Sequence, residues 1–257
     1  MRSRHIVTIA RFTVLEAVRT RLPWLFIVVM ALIFGSAYFI QQLAITESAR
    51  LQSAFFAAAT RFAAVFVLSL HILMSMVREF NDKGLELTLS FDLQRSHYIL
   101  GRMAGFLLLA LLVALLATLP QLIFAPAQAA VQWGLSLAFE LAIMAALSLF
   151  CIITFTQLIP AASFIFGFYL LARTLTAIRL MSDTPLVGGG TTSHQVISWL
   201  VDALALVLPA LDHFAQSSWI ADSAAGWAAL GANAVQALLY IVLLSTAAMF
   251  DFYRRNL

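Results

Sequence analysis

Long apolar runs broken by short polar interruptions set the first structural constraint on this chain. Runs such as FLLLALLVALLATL at 106–119 are continuous, without the every-second-residue alternation of a membrane-barrel strand. A helix rises about 1.5 Å per residue, so about twenty apolar residues cross the ~30 Å hydrocarbon core of a bilayer. On that measure the pattern predicts six spans, at about 22–42, 54–77, 103–124, 132–155, 158–178 and 227–250. Only the stretch TFTQLIPAAS joins the fourth to the fifth. A single helix through both, about 45 residues, would overshoot the bilayer, so Pro160 is read as part of a tight turn between two spans. The expected fold is an all-α integral membrane protein, a single transmembrane domain over 1–257.

Three polar stretches lie outside the spans. At 1–21, Arg4, His5, Thr8, Arg11, Glu16 and Arg19 share one helical face, with Phe12 and Leu15 intruding. Ile6, Val7, Ala10, Val14 and Val18 share the other, the pattern of an amphipathic helix lying at the membrane interface; a generic basic anchor fits the same residues. This start is too long for the basic part of a signal peptide, carries Glu16, and precedes a run close to a full span. At 179–226, Ile197, Leu200, Val201, Leu204, Val207 and Leu208 form an apolar stripe, predicting an amphipathic helix on or dipping into the far leaflet. Its polar residues, Asp183, His194, Asp202, Asp212, His213 and Asp222, read as a rim, since nothing marks Ser193 or Ser217 as a nucleophile.

Composition removes the soluble classes. The 257 residues are 63% hydrophobic and 11% charged, where soluble domains carry about 25% charge. Cys151, the lone cysteine, lies inside a span and reads as a small buried hydrophobe. The net charge of +3 matters less than its distribution, which points to membrane lipid and not to nucleic acid. Arg2, Arg4, Arg11, Arg19 and Arg21 precede the first span; Arg78, Lys83, Arg95 and Arg102 lie between the second and third; Arg254 and Arg255 follow the sixth. Arg50, Arg61, Arg173 and Arg179 alone fall at or near the other side, so the positive-inside rule places both termini and the 78–102 loop in the cytoplasm.

That loop, REFNDKGLELTLSFDLQRSHYILGRM with the start of the next span, is the richest in signal. Glu79 and Lys83 are four apart, as are Asp82 and Glu86, while Leu85, Leu89 and Leu93 repeat along one side. An amphipathic helix or helical hairpin fits, as does a solvated connector. With six spans and a basic N-terminal helix, the set Arg78-Glu79, Gly84-Leu85-Glu86, Leu89-Ser90, Arg95 and Gly101-Arg102 resembles the type-2 permeases of ATP-binding-cassette transporters. Lys83, Gly84 and Asp92 depart from that family's usual Gly, Thr and Pro.

The resemblance implies that 78–102 is a coupling helix docking in a groove of a separate ATPase. Arg78, Glu79, Lys83, Gly84, Leu85, Glu86, Leu89 and Arg95 would form the contact, with Glu79 and Glu86 meeting basic groups and Leu85 and Leu89 packing. It further implies export across a bacterial inner membrane, short re-entrant helices before the last span, and a second permease copy, as a homodimer or with a close relative. The chain itself is expected to be no enzyme and to hold no cofactor. It has no G-x-x-x-x-G-K-[ST], and Gly188-Gly189-Gly190 lacks the phosphate-binding lysine, so ATP and magnesium belong to the partner ATPase.

Polar residues inside spans are the remaining candidates. Arg61, Glu140 and Arg173 fall at a shared depth, where a lone charge costs about 2.5–3.5 kcal/mol even on insertion scales. They therefore either lock helices as an internal pair or line a wet path. His71 and Met74 share a helical face, too small a set for a metal site, and none is expected. An ion-coupled secondary transporter and a non-transporting membrane anchor are the competing classes; the first would show inverted repeats and broken mid-bilayer spans.

Overall fold

Lipid offers no partners to backbone amides, and a helix satisfies them within one segment, so apolar runs of this length fold as helices. The computed structural model describes residues 2–43, 47–81, 95–183, 192–222 and 226–254. Its helices are α1 (Arg2–Arg19), α2 (Leu22–Leu43), α3 (Ser48–Asn81), α4 (Arg95–Thr118), α5 (Ala127–Phe155), α6 (Leu158–Asp183), α7 (Thr192–Val207), α8 (Ser218–Ala221) and α9 (Trp227–Arg254). Short 3-10 turns occupy Leu119–Ile123 and Leu211–His213, and no strand occurs among the described residues. Six helices, α2 to α6 and α9, are long and apolar enough to cross a membrane, and the protein is an all-α, multi-pass membrane protein.

The doubtful turn is settled by one backbone conformation. Thr156 is left-handed (φ 59°) and its N–H donates to the Ile152 carbonyl, which closes α5. Pro160 then sits in the first turn of α6, where its missing N–H would have had no partner in any case. Two spans result. The break before α2 works similarly, with Arg21 at φ 61° and Pro23 at the second helical position.

The core is organised around α5, which packs against α4 and α9, with α3 and α6 also on its sides. Within the spans 72% of the α5 window is buried against 17% for α2, so α5 is the axis and α2 a peripheral helix. Trp133, Leu137, Leu141 and Met144 are wholly buried along it, and so is Cys151.

Helix α1 is not confined to a lipid surface. It lies along α4, where Gly101 and Gly105 meet Ile9 and Thr13: a Cβ added at Gly105 would fall 2.6 Å from the Thr13 Cβ. Ala10, Thr13 and Ala17 form the buried side, a small-residue contact that brings two helix axes close. The amphipathic projection put Glu16 on the outward face with the arginines; the structure turns it inward, and Val7 and Val18 stay exposed. Close approach over two glycines fixes the rotation of α1, outweighing the separation of its polar and apolar faces.

Between α6 and α9 the chain runs along α6 as α7, then folds back so that Leu208, Leu211, Phe214 and Ala215 are buried. Of the predicted apolar stripe, Val201 and Leu208 are buried whereas Leu200, Leu204 and Val207 remain exposed.

Candidate functional site: a charged junction and a carbonyl anchor

The three intramembrane charges come together, but around backbone. Arg173 on α6 donates to Glu140 on α5 at 3.4 Å, to the Phe214 carbonyl at 2.9 Å, and to the Leu211 carbonyl. Arg61 on α3 donates to the Ala215 carbonyl at 2.8 Å, and Trp133 Nε1 reaches the same oxygen at 3.0 Å. Ser136 Oγ accepts from the Ala215 N–H at 3.0 Å and from Asn233 Nδ2 at 3.1 Å, while Asn233 also reaches the His213 carbonyl at 3.1 Å. Ala215 sits at φ 40°, so the chain bends there and its carbonyls leave any helical ladder.

Non-helical backbone at membrane depth persists only when protein groups satisfy it. Arg61, Arg173, Trp133 and Asn233 do so, holding 211–215 between α3, α5, α6 and α9. Glu140 is fully buried, and its carboxylate faces Arg173.

A second charged group sits where the 82–94 segment joins the bundle. Arg102 on α4 is 7% exposed, donates to Glu16 Oε2 at 3.1 Å and to Thr13 Oγ1 at 3.1 Å, and pairs with Glu79 on α3. Ser75 Oγ donates to Glu16 Oε1 at 2.8 Å, and Arg78 approaches that oxygen at 4.0 Å. Phe106 lies under the Arg102 guanidinium, 5.7 Å from its centroid. Burial alone would raise the Glu16 carboxyl; the Ser75 hydroxyl and the Arg102 and Arg78 guanidiniums outweigh it and hold its pKa below the usual value. The ends of α3 and α4 nearest the loop are thus tied to each other and to α1.

No protein-family model and no curated protein matches the chain. Its chemistry therefore rests on the geometry. Of the predicted loop contacts, Arg78 and Glu79 are described, and the Glu79 carboxylate faces Arg102 within the chain. Lys83, Gly84, Leu85, Glu86 and Leu89 lie outside the described residues, and Arg95 opens α4 with its side chain likewise outside them. Among the described residues no three His, Cys, Asp or Glu side chains gather as a metal site.

Sequence reasoning missed the hub. Glu16 and Arg102 sit 86 positions apart, and Ser75 looks like any small residue in a span. The available signal was Glu16 itself, one acid among five arginines at a membrane border, which calls for a buried cation.

Proposed function

We propose that the chain is the transmembrane permease subunit of an ATP-binding-cassette exporter, driven by separate cytosolic ATPases and paired with a second permease copy. In this reading it lies in a bacterial inner membrane with both termini and the 78–102 loop cytoplasmic, and ATP and magnesium bind only the partner ATPases. The observation that carries it is the junction at the loop's two ends. Glu79 at the end of α3 and Arg102 near the start of α4 are bonded to each other and, through Glu16, to α1. A push on 82–94 would then move three helices together, as a transmission element requires, while a passive connector needs no such bracing. Leu85, Glu86 and Leu89 supply the proposed contact with the ATPase, and Arg78 borders it.

The test is purification of the tagged chain from its native host together with any cassette ATPase bound to it. The purified chain alone hydrolyses no ATP, and the ATPase co-purifies with it. Charge reversal at Glu86 abolishes stimulation of ATPase activity while leaving the junction intact. Failure of any cassette ATPase to associate, with both proteins expressed natively, overturns the proposal.

A further inference from the structure

A cavity of about 950 Å3 opens between α2 and α3, with Leu158 at the start of α6 also in its lining. Its walls change character along its length. Leu25 and Val29 of α2 and Phe66, Leu70 and Met74 of α3 make an apolar channel, while Thr20, Arg78 and Asn81 gather at one end. From Phe66 to Asn81 the α3 wall is about 22 Å long at 1.5 Å per residue. That matches half of a ~40–45 Å bilayer measured with its headgroups. The channel is therefore as long as one leaflet, apolar for most of that length apart from His71, with polar groups gathered at one end. Leu25 is 55% exposed and Met74 48%, so it is a groove open on the flank of the bundle and not a sealed void.

The charge at the polar end selects the occupant. The Arg78 side chain is 54% exposed, and its carboxylate contact is Glu16 at 4.0 Å, the outer limit for an ion pair. Glu16 is already bound by Arg102 and Ser75 at 3.1 and 2.8 Å. Among the described residues Arg78 thus leaves guanidinium N–H groups free for an anion, with Asn81 and Thr20 as neutral companions and the exposed Arg19 and Arg21 flanking Thr20 in the chain. A guanidinium with a polar rim at the headgroup level suits a phosphate, which it binds through paired N–H donors.

We propose that this groove is a binding site for an anionic phospholipid, one acyl chain along Leu25, Leu70 and Met74 and the phosphate at Arg78, Asn81 and Thr20. The site stands whether or not the chain is a permease.

Native mass spectrometry of the detergent-purified full chain, titrated with phosphatidylglycerol and phosphatidylcholine of equal chain length, tests it. Phosphatidylglycerol binds more tightly by about fivefold or more, the factor one basic side chain supplies at an anionic surface. Arg78→Gln removes that preference and Arg78→Lys keeps it. Val29→Trp with Met74→Trp fills the channel and removes binding of both lipids, whereas Leu243→Trp on the exposed flank of α9 changes neither. Equal binding of the two lipids by the native chain, a preference that survives Arg78→Gln, or retention of lipid in the filled groove overturns the site. Should Arg78→Gln fail to fold, the channel-filling pair decides alone.

Discussion

Glu16 shows how one side chain can carry the attachment of a whole helix. Its folded pKa lies below the unfolded carboxylate value of about 4.3, so its contribution to stability is complete above that value. The contribution is lost as pH falls through the lower, folded value. Protection of the amides of residues 6–19, taken relative to their intrinsic exchange rate at each pH, should therefore fall below about pH 4. Glu16→Gln should show fast exchange at neutral pH and a flattened pH response. Arg173 makes the parallel case in the bundle interior, where it serves Glu140 and two carbonyls at once. Arg173→Met leaves a buried carboxylate unpaired and should cost about 3–5 kcal/mol in thermal or denaturant unfolding. Adding Glu140→Gln should recover part of that loss, with a coupling of about 1–3 kcal/mol in the double-mutant cycle. Full additivity would show that the pair does not interact. The three intramembrane charges were visible in the sequence by their cost, and a Glu–Arg pair among them was expected, as Glu140 and Arg173 form; their carbonyl partners were not, because backbone carbonyls carry no sequence signature.

At the scale of elements, the contact of α1 with α4 depends on the absence of two side chains. Gly101 and Gly105 are one turn apart on α4 and open a strip into which Ile9 and Thr13 fit. Gly105→Leu places its branch where Thr13 now lies and should lever α1 away, breaking the Arg102–Thr13 and Arg102–Glu16 bonds in turn. Trypsin should then cut at Arg11 and Arg19 much faster than in the native protein, while the spans stay resistant. Unchanged cleavage would mean that α1 is held by lipid and not by α4. Helix periodicity found α1 and its ends, yet misjudged which face is covered. An apolar moment measures affinity for lipid, whereas glycine spacing on a neighbour measures how near a second backbone can come, and here the second governs.

For the whole molecule, six crossings would put both termini on one side and Glu47 on the other. Cys151 is fully buried, so introduced cysteines report without background. A membrane-impermeant maleimide added to intact cells should label Glu47→Cys and leave Tyr253→Cys unlabelled until the membrane is permeabilised; the reverse pattern would refute the cytoplasmic placement of the termini. The six spans, the N-terminal helix and the split just before Pro160 were legible in the sequence because each depends on local quantities: the length of an apolar run, the helical period, a residue that cannot donate. The anchor at 211–215, the hub at Glu16 and Arg102, and the graded groove between α2 and α3 were not. Each joins residues from three or more helices, and partner choice is made by packing after the helices have formed. Hydrophobicity by itself determined that this chain crosses a membrane and where. Tertiary structure decided which of its few charges face each other, because in a low-dielectric interior every buried charge needs a partner and only the fold says which are within reach.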